Sequence, residues 1–228
     1  MPNDDNIQHF NDQVCFRLIP SKYPPINLYE DVADPEQLEA VFAVEALTNP
    51  RLSEETGDFS RVPAEERLVG IPHCSFVMAA FTHVNPDGGR FNTSDFGAYY
   101  ASRDVNTSIK ETIYHMERIL GYTREPAQDI QMRSIQAWFT ADLTDLTTQV
   151  HLDSNLYHPT HYAHSQALAV SLKENKSDGV VYESVRHRGH DCYALYKPNL
   201  VHKVCQSAHY VYKWNGTAIN TVLEMSMV

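Results

Sequence analysis

The clearest pattern of hydrophobic and polar positions in this chain lies in residues 105–120, VNTSIKETIYHMERIL. Apolar side chains recur there at the 3.6-residue period of a helix that buries one face. The stripe consists of Val105, Ile109, Ile113, Met116, Ile119 and Leu120. The spacing predicts an amphipathic helix whose opposite face is polar.

Two further segments carry helix signals. Residues 34–50 begin with Asp34 as an N-cap and Pro35 at the first helical position, and they close on an asparagine and a proline. Residues 163–174 predict another helix, which a loop rich in histidine precedes. Residues 51–73 follow the predicted helix 34–50 and carry turn signals and charge. They predict a long connection with one helical turn.

Short apolar and aromatic runs bounded by turn residues predict strands. The first, QVCFRLIPSKYPP in residues 13–25, is ended by prolines, which remove ladder donors. Residues 75–84 and 96–102 predict a strand, a turn and a strand around the sequence NPDGG. Later strands are predicted at residues 134–143, 179–185, 192–198, 209–215 and 218–228.

Together these elements predict an α+β fold. Most strands follow turns, and they do not alternate with helices. This favours mixed or antiparallel sheets with flanking helices over a doubly wound parallel sheet. A chain of 228 residues with 43% hydrophobic residues is long enough for one large domain. We therefore expect a single domain over residues 1–228, with an extended segment at about residues 30–87.

Charge and composition narrow the classes of function. The formal net charge is −11, and duplex nucleic acid is bound mainly through lysine and arginine, so direct nucleic-acid binding is not expected. An acidic protein can still hold a local basic pocket for an anionic small molecule. The sequence has no apolar run of the roughly 18 residues that span a membrane, so we expect a cytoplasmic protein. The four cysteines form no CxxC pair and are expected to be reduced.

Helix 105–120 carries a candidate site on its polar face. Glu111 and His115 lie one turn apart there, so both can act on one bound molecule. A structural alternative exists, because Ser108 and Glu111 have the spacing of a capping box. A glutamate on a polar helix face is also often only solvated.

Arg90 is a second candidate, because it follows two glycines in the sequence GGRFN. Backbone N–H groups are open in such a turn, and a guanidinium can hold a phosphate through two hydrogen bonds. The alternative is a surface arginine beside a hairpin turn.

Signatures of several other enzyme classes are missing. The run HLDSNLYHPTHYAHSQ places His158, His161 and His164 three residues apart, but Pro159 interrupts the helix that would align them, and no HExxH occurs. We expect no metal site. The GxSxG elbow, the P-loop and a GxGxxG after a strand are also absent from the sequence. Serine hydrolases, P-loop nucleotidases and Rossmann dehydrogenases therefore lose support.

Four segments of the chain form a recognisable series: FR at Arg17, GGRFN at Arg90, AYYASRDVNTSIKE at Tyr100 and Glu111, and DGVVYESVRHRGHDCYALYKP at Ser184. In this order and spacing they resemble the RES domain, which is named for its arginine, glutamate and serine. The resemblance runs from about residue 15 to residue 198. Departures are Phe91 where a tryptophan is common, Glu183 where a proline is common, and a longer segment between the two arginines.

The resemblance implies an activity. RES domains are similar in fold to ADP-ribosyltransferases, and their members consume NAD. They release nicotinamide from NAD, with water or phosphate as the acceptor of ADP-ribose, or they transfer ADP-ribose to a protein. Cleavage of the bond between nicotinamide and ribose builds positive charge on the ribose. By resemblance Glu111 lies under that ribose and stabilises the charge, while Arg17 and Arg90 bind the diphosphate.

Three further roles follow from the same resemblance. Tyr100 stacks on the nicotinamide, Ser184 bonds to the carboxamide or the ribose, and His115 positions the acceptor or the ribose. Structural alternatives remain open: Arg17 bridging secondary elements, Tyr100 packing, and Ser184 capping a turn. NAD is expected as substrate, with no other cofactor.

The resemblance also implies a biological setting. RES proteins resemble the toxins of toxin–antitoxin pairs whose antitoxin is an Xre-like helix-turn-helix protein. We therefore expect an NAD-degrading toxin that such a partner silences, with room for a homo-oligomer in the complex. Two alternatives stay open: an ADP-ribosyltransferase that modifies a protein, and a binding module of the same fold without activity.

Overall fold

A mixed seven-stranded sheet lies at the centre of the computed structural model, which describes residues 6–23, 29–30, 34, 38–45, 56–148 and 153–226. The strands are β1 (Ile7–Pro20), β2 (Tyr99–Ser102), β3 (Gln128–Asp145), β4 (Gly179–Glu183), β5 (Asp191–Leu195), β6 (Val201–Trp214) and β7 (Ile219–Met225). Their spatial order is β1-β2-β5-β4-β3-β6-β7. The α-helices of these residues are α1 (Leu38–Glu45), α2 (Ser75–Thr82), α3 (Val105–Thr123) and α4 (Ala163–Glu174).

The strand pairings confirm the predicted α+β class with a mixed sheet. The described pairs are antiparallel except β3 and β4, which run parallel with Thr144 opposite Val180. The connection between these two strands contains α4, as a parallel pair requires a crossover. β1 pairs along β3 and also meets β2 where Phe16 lies opposite Ser102. Past this point residues of β1 and β2 line a cleft.

Helix α3 confirms the strongest prediction from the sequence. Val105, Ile109 and Ile113 pack on the sheet against a cluster that includes Met132 and Tyr212. The prediction is wrong for one member of the apolar stripe, Ile119. This residue lies near the far end of the helix, where 54% of its surface is exposed.

The start of α3 differs from the capping-box alternative. The N-cap is Asp104, whose side chain accepts a hydrogen bond from the backbone N–H of Thr107 at 2.9 Å. Ser108 lies inside the helix, and its hydroxyl donates to the carbonyl of Phe16 on β1 at 2.7 Å. The spacing of Ser108 and Glu111 therefore does not mark a cap. Instead, Ser108 ties the helix to the sheet.

The predicted strand at residues 75–84 is wrong, because this segment forms helix α2. Six of its eight residues are buried: Ser75, Phe76, Val77, Met78, Phe81 and Thr82. A helix buried on most sides has few polar positions to reveal its period, and a short apolar run does not distinguish strand from helix. The second half of the pattern, in residues 96–102, is confirmed as β2.

The remaining predictions are confirmed with shifted boundaries. β1 begins at Ile7, six residues before the predicted start at residue 13. α1 falls within the predicted helix 34–50, but Pro35 and residues 46–50 lie outside the described residues. The described part of the connection 51–73 has two 3₁₀ turns, Phe59–Arg61 and Ala64–Glu66, where one turn was predicted.

Several global expectations can also be compared with the described residues. The four cysteines are free, as predicted, and three of them are buried. No helix in the described part of the chain is long and apolar enough to cross a membrane. The C-terminal strands β6 and β7 complete one edge of the sheet.

Candidate active site

A cleft of about 1040 Å³ collects predicted site residues from widely separated segments. Its walls come from β1, β2, the turn after α2, the polar face of α3, and residues 160–163 at the start of α4. Five of the six predicted residues line it: Arg17, Arg90, Tyr100, Glu111 and His115. The sixth, Ser184, is joined to the cleft through a hydrogen bond to Glu111.

Glu111 and Ser184 form the closest pair of the site. The Ser184 hydroxyl donates to Glu111 Oε1 at 2.6 Å. Ser184 Oγ in turn accepts hydrogen bonds from the backbone N–H groups of Arg186 and His187 at 3.2 and 2.9 Å, in the loop between β4 and β5. Ser184 therefore caps a turn, as the structural alternative had it, and also orients Glu111. Ser184 is 1% exposed, so this geometry is held by packing.

Arg17 crosses from β1 to the backbone of β2. Its Nη1 donates to the carbonyl of Tyr100 at 2.9 Å, and its guanidinium lies over the Tyr99 ring at 5.2 Å. Burial lowers the pKa of Arg17, although an arginine keeps its charge in proteins. Its buried Nε has no hydrogen-bond partner in the residues that the structure describes. Arg17 thus bridges two elements and still offers donors.

Arg90 lies in a tight turn, in which the backbone N–H of Gly89 donates a hydrogen bond to the carbonyl of Asn92 at 3.0 Å. Its Nη1 donates to the carbonyls of His158 and Leu156 at 2.9 and 3.2 Å, and Tyr162 lies 4.7 Å below its guanidinium. Arg90 is 9% exposed, so it is not the surface arginine of the alternative reading. Two carbonyls fix one end of the guanidinium, and the group lines the cleft.

Tyr100 braces the turn that carries Arg90. Its hydroxyl donates to Asn92 Oδ1 and accepts from the backbone N–H of Phe91, both at 2.8 Å. Burial raises the pKa of this phenol, which therefore stays neutral. The hydroxyl is committed to the turn, and the residue still lines the cleft.

His115 lines the cleft on the same face of α3 as Glu111, one turn away as predicted, and part of its ring reaches solvent. Partial burial in the cleft lowers the pKa of His115; Glu111 opposes this shift, and Arg186 and Arg118 add to it. The imidazole is therefore neutral at pH 7.

Two basic residues of the cleft were missed by the sequence reasoning. Arg118 lines it from α3, three residues after His115 and seven after Glu111, a spacing that would have placed it on the same face. Arg186 follows Ser184 in the β4–β5 loop, where its guanidinium lies 3.4 Å from the centre of the Tyr114 ring. No local pattern predicts Arg186.

Three charged groups of the cleft have no ion-pair partner in the part of the chain that the structure describes. Among the described residues, no ion pair involves Arg17, Arg90 or Glu111, whereas surface groups such as Arg103 and Asp191 are paired at 2.8 Å. Burying an unpaired charge is costly unless a ligand or a hydrogen-bond network compensates for it. Such an arrangement marks a functional site.

The histidine run before α4 adopts a local structure of its own. His158 Nδ1 accepts the backbone N–H groups of Thr160 and His161, at 3.2 and 2.9 Å. His164 pairs with Asp153 at 2.9 Å. Within the described part of this run, no three potential metal ligands come together.

Comparison with known proteins now places the chain. The sequence model of the RES domain matches residues 67–215, well over half of the chain, so the protein belongs to the RES domain family. The match extends past residue 198, the end of the resemblance seen in the sequence, and it includes β6. Arg17 precedes the matched residues, and the fold brings it to the cleft.

Two similar proteins can be named. The protein y4oC of Sinorhizobium fredii, which is uncharacterized, is 27% identical over 207 residues, or 90% of this chain and 84% of its own. A chain in the crystal structure of the M. tuberculosis MbcT–MbcA toxin–antitoxin complex is 13% identical, with a TM-score of 0.45. That alignment covers 90% of this chain and 88% of the other.

Proposed function

We propose that this protein cleaves the bond between nicotinamide and ribose in NAD, releases nicotinamide and transfers ADP-ribose to water or phosphate. One observation carries the proposal: Glu111, Arg17 and Arg90 face one cleft without ion-pair partners among the described residues. A molecule with an anionic diphosphate and a site of developing positive charge matches both signs. NAD is such a molecule, and it is the substrate that the RES resemblance implies.

Glu111 supplies the negative charge. As the glycosidic bond breaks, the ribose becomes similar to an oxocarbenium ion, and a nearby carboxylate stabilises it. The Ser184 hydroxyl occupies Oε1, and no described residue donates to Oε2. Oε2 is therefore available to a ribose hydroxyl. In this proposal Ser184 acts by orienting Glu111.

The arginines supply the positive charge for the diphosphate. Nη1 of Arg17 and Nη1 of Arg90 donate hydrogen bonds to backbone carbonyls, so the orientation of both guanidinium groups is set before any ligand binds. Preorganised guanidinium groups bind phosphate through paired, charge-assisted hydrogen bonds. Arg118 and Arg186 add positive charge to the same cleft.

Tyr100 and His115 have supporting roles. The hydroxyl of Tyr100 holds the turn that carries Arg90, which leaves its ring as cleft wall for contact with the nicotinamide. The neutral imidazole of His115 can accept a proton from an attacking water or hold a ribose hydroxyl.

Loss of NAD would stop growth, so the protein is proposed as the toxin of a toxin–antitoxin pair. The RES resemblance supports an Xre-like helix-turn-helix antitoxin. Expression of the wild type in a bacterium should stop growth, and Glu111→Ala should remove this effect. A toxic Glu111→Ala protein would favour the binding module over the enzyme.

The test of the activity is incubation of the purified protein with NAD, with and without phosphate. Nicotinamide release with ADP-ribose identifies water as acceptor, and a phosphorylated ADP-ribose identifies phosphate. A cell lysate with labelled NAD adds protein acceptors, which mass spectrometry detects. Unchanged NAD together with unlabelled protein would refute the proposal.

A further inference from the structure

A second cluster of potential ligands lies where the β4–β5 loop meets the start of α3. Asp104, His187 and His190 each bring one ligand atom, and these atoms lie within 4.8 Å of one another. The two imidazole rings are stacked, with centroids 3.6 Å apart and planes inclined by 11°. In the described chain this is the group with metal-ligating spacing. The histidine run at residues 158–164 contributes no atom to this cluster.

Hydrogen bonds define how the three groups meet. His190 Nδ1 lies 3.2 Å from Asp104 Oδ2. The Thr107 hydroxyl donates to the same Oδ2 at 2.7 Å and lies 2.8 Å from His187 Nδ1. Asp104 Oδ2 and the Thr107 hydroxyl thus link the two ring nitrogens.

The protons can be assigned from this geometry. The Thr107 hydroxyl has one hydrogen, which it gives to Asp104, so it must accept from His187 Nδ1. His190 Nδ1 faces a carboxylate oxygen and therefore also carries hydrogen. A metal ion at this point would replace these hydrogens and bind both rings through Nδ1.

We propose that Asp104, His187 and His190 bind a zinc ion. Two imidazoles and one carboxylate suit Zn²⁺, whereas Ca²⁺ and Mg²⁺ prefer oxygen ligands alone. Ligands at about 2.0–2.1 Å from tetrahedral zinc are about 3.3 Å apart, and the ion lies in the plane of each imidazole that binds it. The two stacked rings must therefore turn out of their parallel arrangement to bind one ion. The loop can supply this movement, because residues 188–190 are exposed and Gly189 has open space around it.

The ion would join two elements of the fold that shape the cleft. Asp104 caps α3, which carries Glu111, and the loop with both histidines also carries Ser184. The backbone of this loop is already tied to Ser184, whose N–H donates to the carbonyl of His190 at 2.7 Å. Zinc would therefore fix the position of Ser184 relative to Glu111. None of the three ligands lines the cleft, so the ion takes no part in the chemistry proposed there.

Calorimetric titration of Zn²⁺ into the full chain, stripped of metal and without a histidine tag, tests the site. The wild type should bind one zinc ion per chain. The double variant His187→Ala, His190→Ala should bind more weakly by more than the roughly 10- to 100-fold that loss of an outer-shell partner causes. The matched control is His164→Ala, which removes a histidine that is also paired with an aspartate. This control should bind zinc as the wild type does.

Two further measurements separate zinc binding from misfolding. Asp104→Asn keeps a good N-cap but removes a ligand charge, so it should stay folded and bind zinc more weakly. Zinc should also slow amide hydrogen exchange in residues 184–190 of the wild type and leave the double variant unchanged. Equal affinity and stoichiometry in the wild type and the double variant would overturn the inference, as would a wild type that binds no zinc. These readouts do not depend on NAD cleavage.

Discussion

Ser184 Oγ lies 2.6 Å from Glu111 Oε1 and donates a hydrogen bond to it across 73 positions of sequence. The contact joins the β4–β5 loop to the middle of α3, and it sets which oxygen of Glu111 remains open to the cleft. The same hydroxyl accepts two backbone N–H groups, so the serine is fixed from both sides.

Ser184→Ala should lower kcat for NAD cleavage by roughly tenfold to 100-fold, since misplacing a catalytic group by about 1 Å can cost 100-fold. KM should change little, because the arginines remain in place. The variant should also lose about 1 kcal/mol of unfolding free energy, because two partly buried N–H groups lose their acceptor. Steady-state kinetics and urea unfolding measure both effects. Exposed Ser171→Ala is the control, and an unchanged kcat in Ser184→Ala would contradict the positioning role.

Arg90→Lys should raise the KM for NAD by about tenfold or more, with a smaller effect on kcat. A lysine ammonium is a point charge and cannot hold two carbonyls and a diphosphate in one plane. Initial rates over a range of NAD concentrations give the comparison. Arg188→Lys changes an exposed arginine of the β4–β5 loop and should behave as the wild type. A KM that stays the same in Arg90→Lys would argue against diphosphate binding.

Gly89→Ala tests the turn that presents Arg90. An added Cβ would lie 2.5 Å from Asn92 Oδ1 and 2.7 Å from the Tyr100 hydroxyl, which must separate to admit it. Overpacking of this kind costs about 1–3 kcal/mol. Gly121→Ala is a matched control inside α3, where nothing lies within 4 Å, and it should stabilise by about 0.5–1 kcal/mol. Urea unfolding of both variants checks the prediction, and a Gly89→Ala protein as stable as the wild type would contradict it.

The sequence predicted those elements whose burial is one-sided. Helix α3 buries one stripe on the sheet, so its period is visible in the order of residues. Helix α2 is buried on most sides, so its period is hidden and a strand was predicted.

The site was only partly accessible to the same reasoning. Glu111 and His115 share a helix face, and the same spacing reaches Arg118 and Tyr122, which also line the cleft. Arg17 and Ser184 come from distant segments, and only the resemblance to RES domains linked them to Glu111. Pairing of β1 with β3, and the loop after β4, bring them together in the fold.

The most direct test of the central claim compares nicotinamide release by Glu111→Gln and Glu174→Gln at saturating NAD. Glutamine keeps the shape of residue 111 and removes the charge that stabilises the ribose, so the rate should fall by about 100-fold to 1000-fold. Glu174 is exposed at the end of α4, and its variant should match the wild type. A Glu111→Gln protein that releases nicotinamide at the wild-type rate would contradict the assignment of the active site.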